Sequence, residues 1–572
     1  MTDTKETLLI AGLIAIATVA GGFCPTVAAS AEEPKTGSAF IVQSASAAAA
    51  ARLVDSVDGR VTRELDIIDA VAAELTREQR LSLERLPSVR RVWSNGQAEL
   101  TGRGKKDSQT STTGGAAGNT YYPAMIGAEQ LHAEGITGRG VTIAVLDSGL
   151  WPNSDVLLDA SGSRVRFLAS FDVLTGVVNG ARDGNGHGTH VTGIALSARN
   201  GQGRFDGIAP GADMVMVRTF DLDGNGTYAD VVAGLQWILA NKDSYGIRVV
   251  NCSFSATPQS YYWDDPINQA VMAVWRAGIV VVTSAGNGGP APMTIGVPGN
   301  VPYVITVGAM TDRFTPADQS DDVLASFSAT GPTVEGFIKP DLVAPGGHVR
   351  ALMDRKDKIA TLHPEYHDGA YYFEMSGTSQ AAAMVTGTVA LMLEQHPYLT
   401  PDEVKHRLIQ TARTASFSST SPTYSIFQQG AGFMDAHSAV HSKITGAANQ
   451  GLDIDADLAN ALHFRGPADA YEKWTRKEGT YYVYFVRAPD GTAIEDDGYL
   501  WNGQYAFQDG FAWSDAFAWS DAFAWSDAFA WSDAFAWSDA FAWSDAFAWS
   551  DAFAWSDGLA EPASIDFWVK PE

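Results

Sequence analysis

The sequence predicts an α/β protein with a mostly parallel sheet, a small α+β unit before it and a repeat-bearing tail after it. Three observations carry this expectation. Over residues 120–443, apolar β-branched runs alternate with helical stretches, the pattern of a parallel sheet covered on both faces. Residues 38–98 hold a separate strand–helix pattern. From Phe511 the hexapeptide FAWSDA recurs eight times, the last copy ending in Gly558. At 572 residues the chain is long enough for several domains. Its 45% apolar and 18% charged residues belong to a folded protein, not a disordered acidic one.

The chain opens with an apolar run, LLIAGLIAIATVAGGF, from Leu8 to Phe23. It is short and glycine-ended for a membrane span. Ala29-Ser30-Ala31 places small residues where a signal peptidase cuts, so residues 1–31 read as an export signal, although Lys5 is offset by Asp3 and Glu6. The expected protein is secreted and extracellular, with no membrane partner.

Residues 32–102 form the next unit. SAFIVQ reads as a strand and ASAAAAARLVDSV as a helix. RVTRELDIIDAVAAEL begins as a strand, and Thr76 with Gln79 makes a capping-box start for TREQRLSLERL. VRRVWSN closes the unit as a strand. Two strand–helix halves in about 60 residues suit a ferredoxin-like sandwich. Residues 103–119, rich in Gly, Ser and Thr, follow as a linker open to proteolysis.

Charge narrows the partners. The net charge is −27, and residues 488–569 carry 15 acidic groups with no Lys or Arg. No basic face is available to neutralise a phosphate backbone, which excludes nucleic acid as a partner. Two cysteines, Cys24 and Cys252, cannot build a disulfide framework or a cysteine zinc site.

In 120–443 the runs VTIAVLDSG, MVMVRTF, RVVNCSFS and IVVVTSAGN read as strands, with YADVVAGLQWILAN and PINQAVMAVWRAG as helices between them. Chemistry in such sheets gathers at the carboxyl ends of the strands. Asp147 ends the first strand, and Asn287 follows IVVVTSAG. His187 lies in DGNGHGTHVTGIA, and Ser379 at the start of a small-residue helix in MSGTSQAAAMVTGTVALML. A serine nucleophile needs a base, and the base needs a buried carboxylate to fix its tautomer. The developing oxyanion needs fixed donors, which Asn287 and the Ser379 N–H can supply.

Four motifs in this order, AVLDSG, NGHGTHVTG, SAGN and SGTSQAAAMVTG, resemble the subtilisin-like serine proteases, the subtilases. GIAPGADMVMVRTF, FSATGPT, KPDLVAPGG and GAGFMDA add to the likeness. The resemblance implies a subtilisin-like three-layer domain and hydrolysis of peptide bonds through an Asp147–His187–Ser379 triad, with Asn287 as an oxyanion donor. It also identifies residues 32–102 with the propeptide that inhibits such enzymes and helps them fold. Ser253, Phe254 and Ser255 would then form one edge beside a peptide substrate, and Gly224, Asn225 and Gly226 the other. Gly296 aligns with the floor of the first specificity pocket, which implies broad cleavage with an apolar preference.

These residues also admit plainer readings. His187 and His190 at helical spacing could be a zinc pair, but no third ligand or HExxH glutamate accompanies them, so no catalytic metal is expected. Ser379 alone would be a helix cap, Asn287 a turn residue, and His190 is read as structural. Gln380, Ala383 and Ser255 depart from residues common in the family; Ser255 in place of glycine narrows the pocket rim. The chemistry requires no cofactor. The family also implies a structural calcium near Asp155 and the loop around Asn200, against the plain alternative of a solvated loop.

Residues 444–510 follow as a C-terminal extension containing the strand-like GTYYVYFVR. The repeats occupy 511–558, and a last strand, SIDFWVK, lies in 559–572. If extended, each repeat places Phe, Trp and Asp on one face. A β-solenoid and a repeat expansion without a fixed core both fit. Aromatic rings at regular spacing suit a polysaccharide or cell surface. The rival function is accordingly a surface-binding or adhesive protein with an inactive or incidental protease domain.

Overall fold

The computed structural model describes residues 38–95, 120–201, 203–415, 417–418, 421–422, 424–475, 479–487, 493–495 and 564–565. Residues 1–31, read as an export signal, the linker 103–119 and the FAWSDA repeats lie outside these residues.

A nine-stranded sheet forms the centre. Its order is Val323–Leu324, Ile305–Thr311, Val280–Ser284, Ile247–Cys252, Thr142–Asp147, Asp213–Arg218, Phe167–Asp172 and Val177–Val178. Leu342–Pro345 pairs in parallel with Ile305–Thr311. The six strands from Phe167–Asp172 to Ile305–Thr311 also run parallel, while the two outermost short strands are antiparallel. Thr142–Asp147 is buried at every position, as a strand covered on both faces must be.

The helix Thr378–Gln395 crosses one face and is buried from Thr378 to Leu393. Its small residues permit close approach. A Cβ on Gly387 would come within 3.2 Å of the Ala195 carbonyl oxygen, in the helix His187–Leu196. Tyr228–Tyr245 starts with a Thr227–Asp230 capping box and ends on Gly246 at φ 63°. With Pro266–Arg276 it packs beside the sheet.

Residues 38–94 fold as strand, helix, strand, strand, helix, strand. The antiparallel sheet has the order Arg60–Leu65, Ala70–Leu75, Ser38–Gln43, Arg91–Ser94. Thr76 and Gln79 form the reciprocal capping box read from the sequence. Ile41, Leu65, Ile68 and Ala72 join the main core. Around this apolar contact, Arg63 pairs with Asp230 at 3.0 Å and Gln43 bonds Gln269 at 2.7 Å. The unit thus docks on the helices Tyr228–Tyr245 and Pro266–Arg276. Asn95, its last described residue, accepts from Ala229 N at 3.0 Å.

Beyond the main domain, Ala468–Thr475, Gly479–Arg487 and Ala493–Glu495 make an antiparallel sheet, with the strand-like GTYYVYFVR as its middle member. Ala468 N donates to Gly336 O at 2.9 Å, tying this sheet to the domain. Among the described residues, no helix is long and apolar enough to cross a membrane.

Candidate active site

Asp147 is the last residue of a central strand, and His187 the first residue of the helix His187–Leu196. Two glycines let that helix reach the strand end. Gly186 takes φ 109°, and a Cβ on Gly188 would collide with the Gly149 carbonyl oxygen and lie 3.2 Å from Asp147 Oδ1. His187 Nδ1 stands 2.8 Å from Asp147 Oδ1 and 3.0 Å from Oδ2, with both side chains fully buried. With the Nδ1 proton donated to the carboxylate, the neutral ring carries its acceptor lone pair at Nε2.

Asp183 fastens this helix start, a role the sequence reading missed. Its Oδ1 accepts from Asn185 N at 3.0 Å, Gly186 N at 2.9 Å and Ser148 Oγ at 3.0 Å. Its Oδ2 accepts from Thr189 N at 2.9 Å and Thr189 Oγ1 at 2.7 Å. The only signal in the sequence is an acidic residue just before the helix, a common capping arrangement.

Ser379 is the second residue of the helix Thr378–Gln395, where backbone N–H groups lack intrahelical partners. Its Oγ donates to Ser253 O at 3.1 Å, and Ser253 Oγ donates to Ser379 O at 3.1 Å. Asn287 is held at its carbonyl end: Oδ1 accepts from Thr378 N and Thr378 Oγ1, both at 3.0 Å. That leaves Nδ2 buried with its donor capacity unused. Gly377 keeps the space beside it, since a Cβ there would lie 3.3 Å from Nδ2.

His190 does not join His187 as a metal ligand. Its Nε2 donates to Phe373 O at 3.1 Å, and Gln380 Nε2 donates to its Nδ1 at 3.4 Å. Burial pushes His190 down to about 3, so it stays neutral and structural. Cys252 is buried as well, and burial raises its thiol far above the usual range, which removes it as a nucleophile.

Gly224, Asn225 and Gly226 lie in a turn closed by Asp221, whose Oδ1 accepts from Asp223 N at 2.8 Å and Asn225 N at 3.0 Å. Phe254–Ser255 forms an edge strand, and Ala256 exchanges two backbone hydrogen bonds with Val297 at 2.9 and 2.7 Å. This brings Ser255 beside Gly296, where a Cβ would collide with Ser255 Oγ. The edge strand is already paired: Ser564–Ile565 runs antiparallel to it, Phe254 opposite Ile565 and Ser255 opposite Ser564.

At the loop where a structural calcium and a plain solvated loop are the two readings, Arg199 stands 4.0 Å from Asp155 and 3.9 Å from Asp206. Asp206 also accepts from the Tyr372 hydroxyl. Arg199 thus places a positive charge near both carboxylates.

Comparison with known proteins places the chain among the subtilases. The model of the subtilase family matches residues 138–433. Serine protease AprX of Bacillus subtilis is 40% identical over 279 residues, covering 48% of this chain and 61% of that protein. The chain therefore spans less than two thirds of that relative. A thermostable alkaline protease of Halalkalibacterium halodurans is 30% identical over 400 residues, 70% of this chain and 92% of that protein. Among solved structures, fervidolysin of Fervidobacterium pennivorans, described as a keratinolytic enzyme related to subtilisin, superposes with TM-score 0.56. At 22% identity, covering 81% of this chain and 69% of that one, it speaks for the fold alone.

Proposed function

The chain belongs to the subtilase family, the subtilisin-like serine endopeptidases, and on that premise we propose that it is a secreted endopeptidase of broad specificity acting through an acyl-enzyme. The observation that carries the mechanism is the buried His187–Asp147 pair at 2.8 Å. Ser379 Oγ attacks the scissile carbonyl while His187 Nε2 takes its proton, and Asp147 stabilises the imidazolium. The carbonyl oxygen becomes an oxyanion facing Asn287 Nδ2 and the Ser379 N–H. His187 then protonates the leaving amine, and water hydrolyses the ester by the same steps in reverse roles.

Substrate adds as a strand to Ser253, Phe254 and Ser255, with the turn at Gly224, Asn225 and Gly226 as the opposite wall. Gly296 floors the first pocket, which favours apolar side chains. No cofactor takes part. The unit of residues 32–102 acts as an intramolecular inhibitor and folding aid, removed by self-cleavage between Glu99 and Thr120. Its apolar docking on the two helices supports this role. The repeats hold the enzyme to a polysaccharide or cell surface without tuning its chemistry. Deleting residues 511–558 should keep small-peptide hydrolysis within about twofold while weakening retention, because multivalent contacts are lost.

The deciding experiment labels the processed protein with a fluorophosphonate probe. The label should appear on Ser379, and Ser379→Ala should abolish both label and turnover and accumulate with residues 32–102 attached. An unlabelled, inactive wild-type protein would overturn the proposal.

A further inference from the structure

The site described above uses none of Glu134, His437 and His441. The two histidines stand four residues apart on the helix Ala436–His441, so their rings share one face. Glu134 follows the helix Ala128–Ala133 directly. The side chains converge across a sequence separation of 303 residues. His437 Nε2 lies 3.1 Å from Glu134 Oε1, and His441 Nε2 lies 2.7 Å from Oε2. One ligand atom from each residue lies within 4.8 Å of the other two.

The backbone under this cluster is held independently of it. Ala436 N donates to Ile126 O at 2.8 Å. Asp435 caps the histidine helix by accepting from Ser438 N at 2.8 Å. Gly127, at φ 81°, lets the chains close up, since a Cβ there would lie 3.0 Å from His437 Cβ. Three donors are thus presented by two elements whose spacing does not depend on the donors themselves.

We propose that Glu134, His437 and His441 form a binding site for a divalent transition metal, with Zn2+ the best match. Two imidazole nitrogens and a carboxylate suit zinc, whereas calcium and magnesium prefer oxygen throughout. Ligand atoms about 2.0–2.1 Å from a tetrahedral ion stand about 3.3 Å apart. The nitrogen–oxygen distances of 2.7 and 3.1 Å, to the two oxygens of one carboxylate, need widen only slightly, and the remaining separation, within 4.8 Å, has to settle near the same value. The three side chains are about two-fifths exposed, at 40, 42 and 45%, so water can complete the coordination sphere.

The ion would join the beginning of the catalytic domain to its end. In the unfolded chain these donors are far apart, so binding favours the folded state. If self-cleavage before Thr120 occurs as proposed above, the clip also secures the new terminus. That role rests on the proposed maturation; the site itself does not.

The test uses the full chain carrying Ser379→Ala, which prevents self-digestion, stripped with EDTA and titrated with Zn2+ by calorimetry. One equivalent should bind, and His437→Ala or His441→Ala should each weaken binding at least about tenfold. Co2+ should give a ligand-field absorption band that the double variant, His437→Ala with His441→Ala, lacks. Zn2+ should raise the Tm of the parent but not of the double variant, while their Tm values in EDTA stay within about 2 °C, since an exposed ion pair contributes little. If the double variant fails to fold, Glu134→Gln carries the same comparison. Binding that is absent, or equal in parent and variants, overturns the proposal and leaves an ordinary surface ion pair.

Discussion

The Ser255 hydroxyl stands where a side chain on Gly296 would begin, so one small group sets the room over the glycine proposed above as the floor of the specificity pocket. It also lies beside Gly286, where a Cβ would come within 3.0 Å of Ser255 Oγ. Ser255→Gly should widen this space. The ratio of kcat/KM for a large aromatic side chain over a small aliphatic one should rise about tenfold, the scale of a small change in an apolar pocket. A panel of peptides differing only at that residue measures it, and an unchanged ratio would remove Ser255 from the pocket.

Asn287→Ala removes the amide donor while its anchor, Thr378, remains. Turnover should fall about 10²–10³-fold with KM little altered, the size of effect found on removing one oxyanion donor in subtilisin. Unchanged turnover would sink the oxyanion assignment.

Asp147→Asn keeps the shape of the buried pair but favours the wrong imidazole tautomer. The expected loss in kcat is about 10⁴ at neutral pH. In the parent enzyme kcat/KM should fall on acidification, because a protonated His187 cannot accept the Ser379 proton. A flat profile from pH 5 to 8 would contradict the general-base role.

Ser564 and Ile565 occupy the edge that a substrate strand would use. A tethered segment competes at high effective concentration, so deleting residues 559–572 should lower KM for a peptide substrate at least about threefold with kcat unchanged. Equal KM values before and after truncation would show that this pairing does not restrict entry.

Asp357 offers a test by pH. Burial first, then the negative Asp183 and Asp354, pushes its carboxyl up to about 8, and its Oδ2 is buried without a partner. An unfolded aspartate titrates near 3.9. The folded state therefore holds the extra proton between about 4 and 8, and stability falls as pH rises through that window. Asp357→Asn in the Ser379→Ala chain should be more stable than its parent at pH 9 by roughly 1 kcal/mol or more, with a smaller difference at pH 5. Denaturant melts at both pH values measure this, and an equal difference would refute it.

The sequence by itself determined the strands of the central sheet and where the candidate catalytic residues sit on them, because these depend on neighbours along the chain. VTIAVLD is apolar at successive positions, so it reads as a buried strand, and Asp147 is where that pattern ends. The glycines around His187 and the small residues after Ser379 mark tightly packed helix starts in the same local way. Thr76 and Gln79 specify their cap within a single turn. Only the tertiary structure decided which distant groups meet. Asp183 beneath Ser148, Gln380 on His190, and Arg199 between Asp155 and Asp206 unite residues from separate elements. So do Ser564–Ile565 on Phe254–Ser255 and Glu134 between His437 and His441. No periodicity encodes such meetings: a hydrogen bond or ion pair depends on where two surfaces come to rest, and packing of the whole core sets that position.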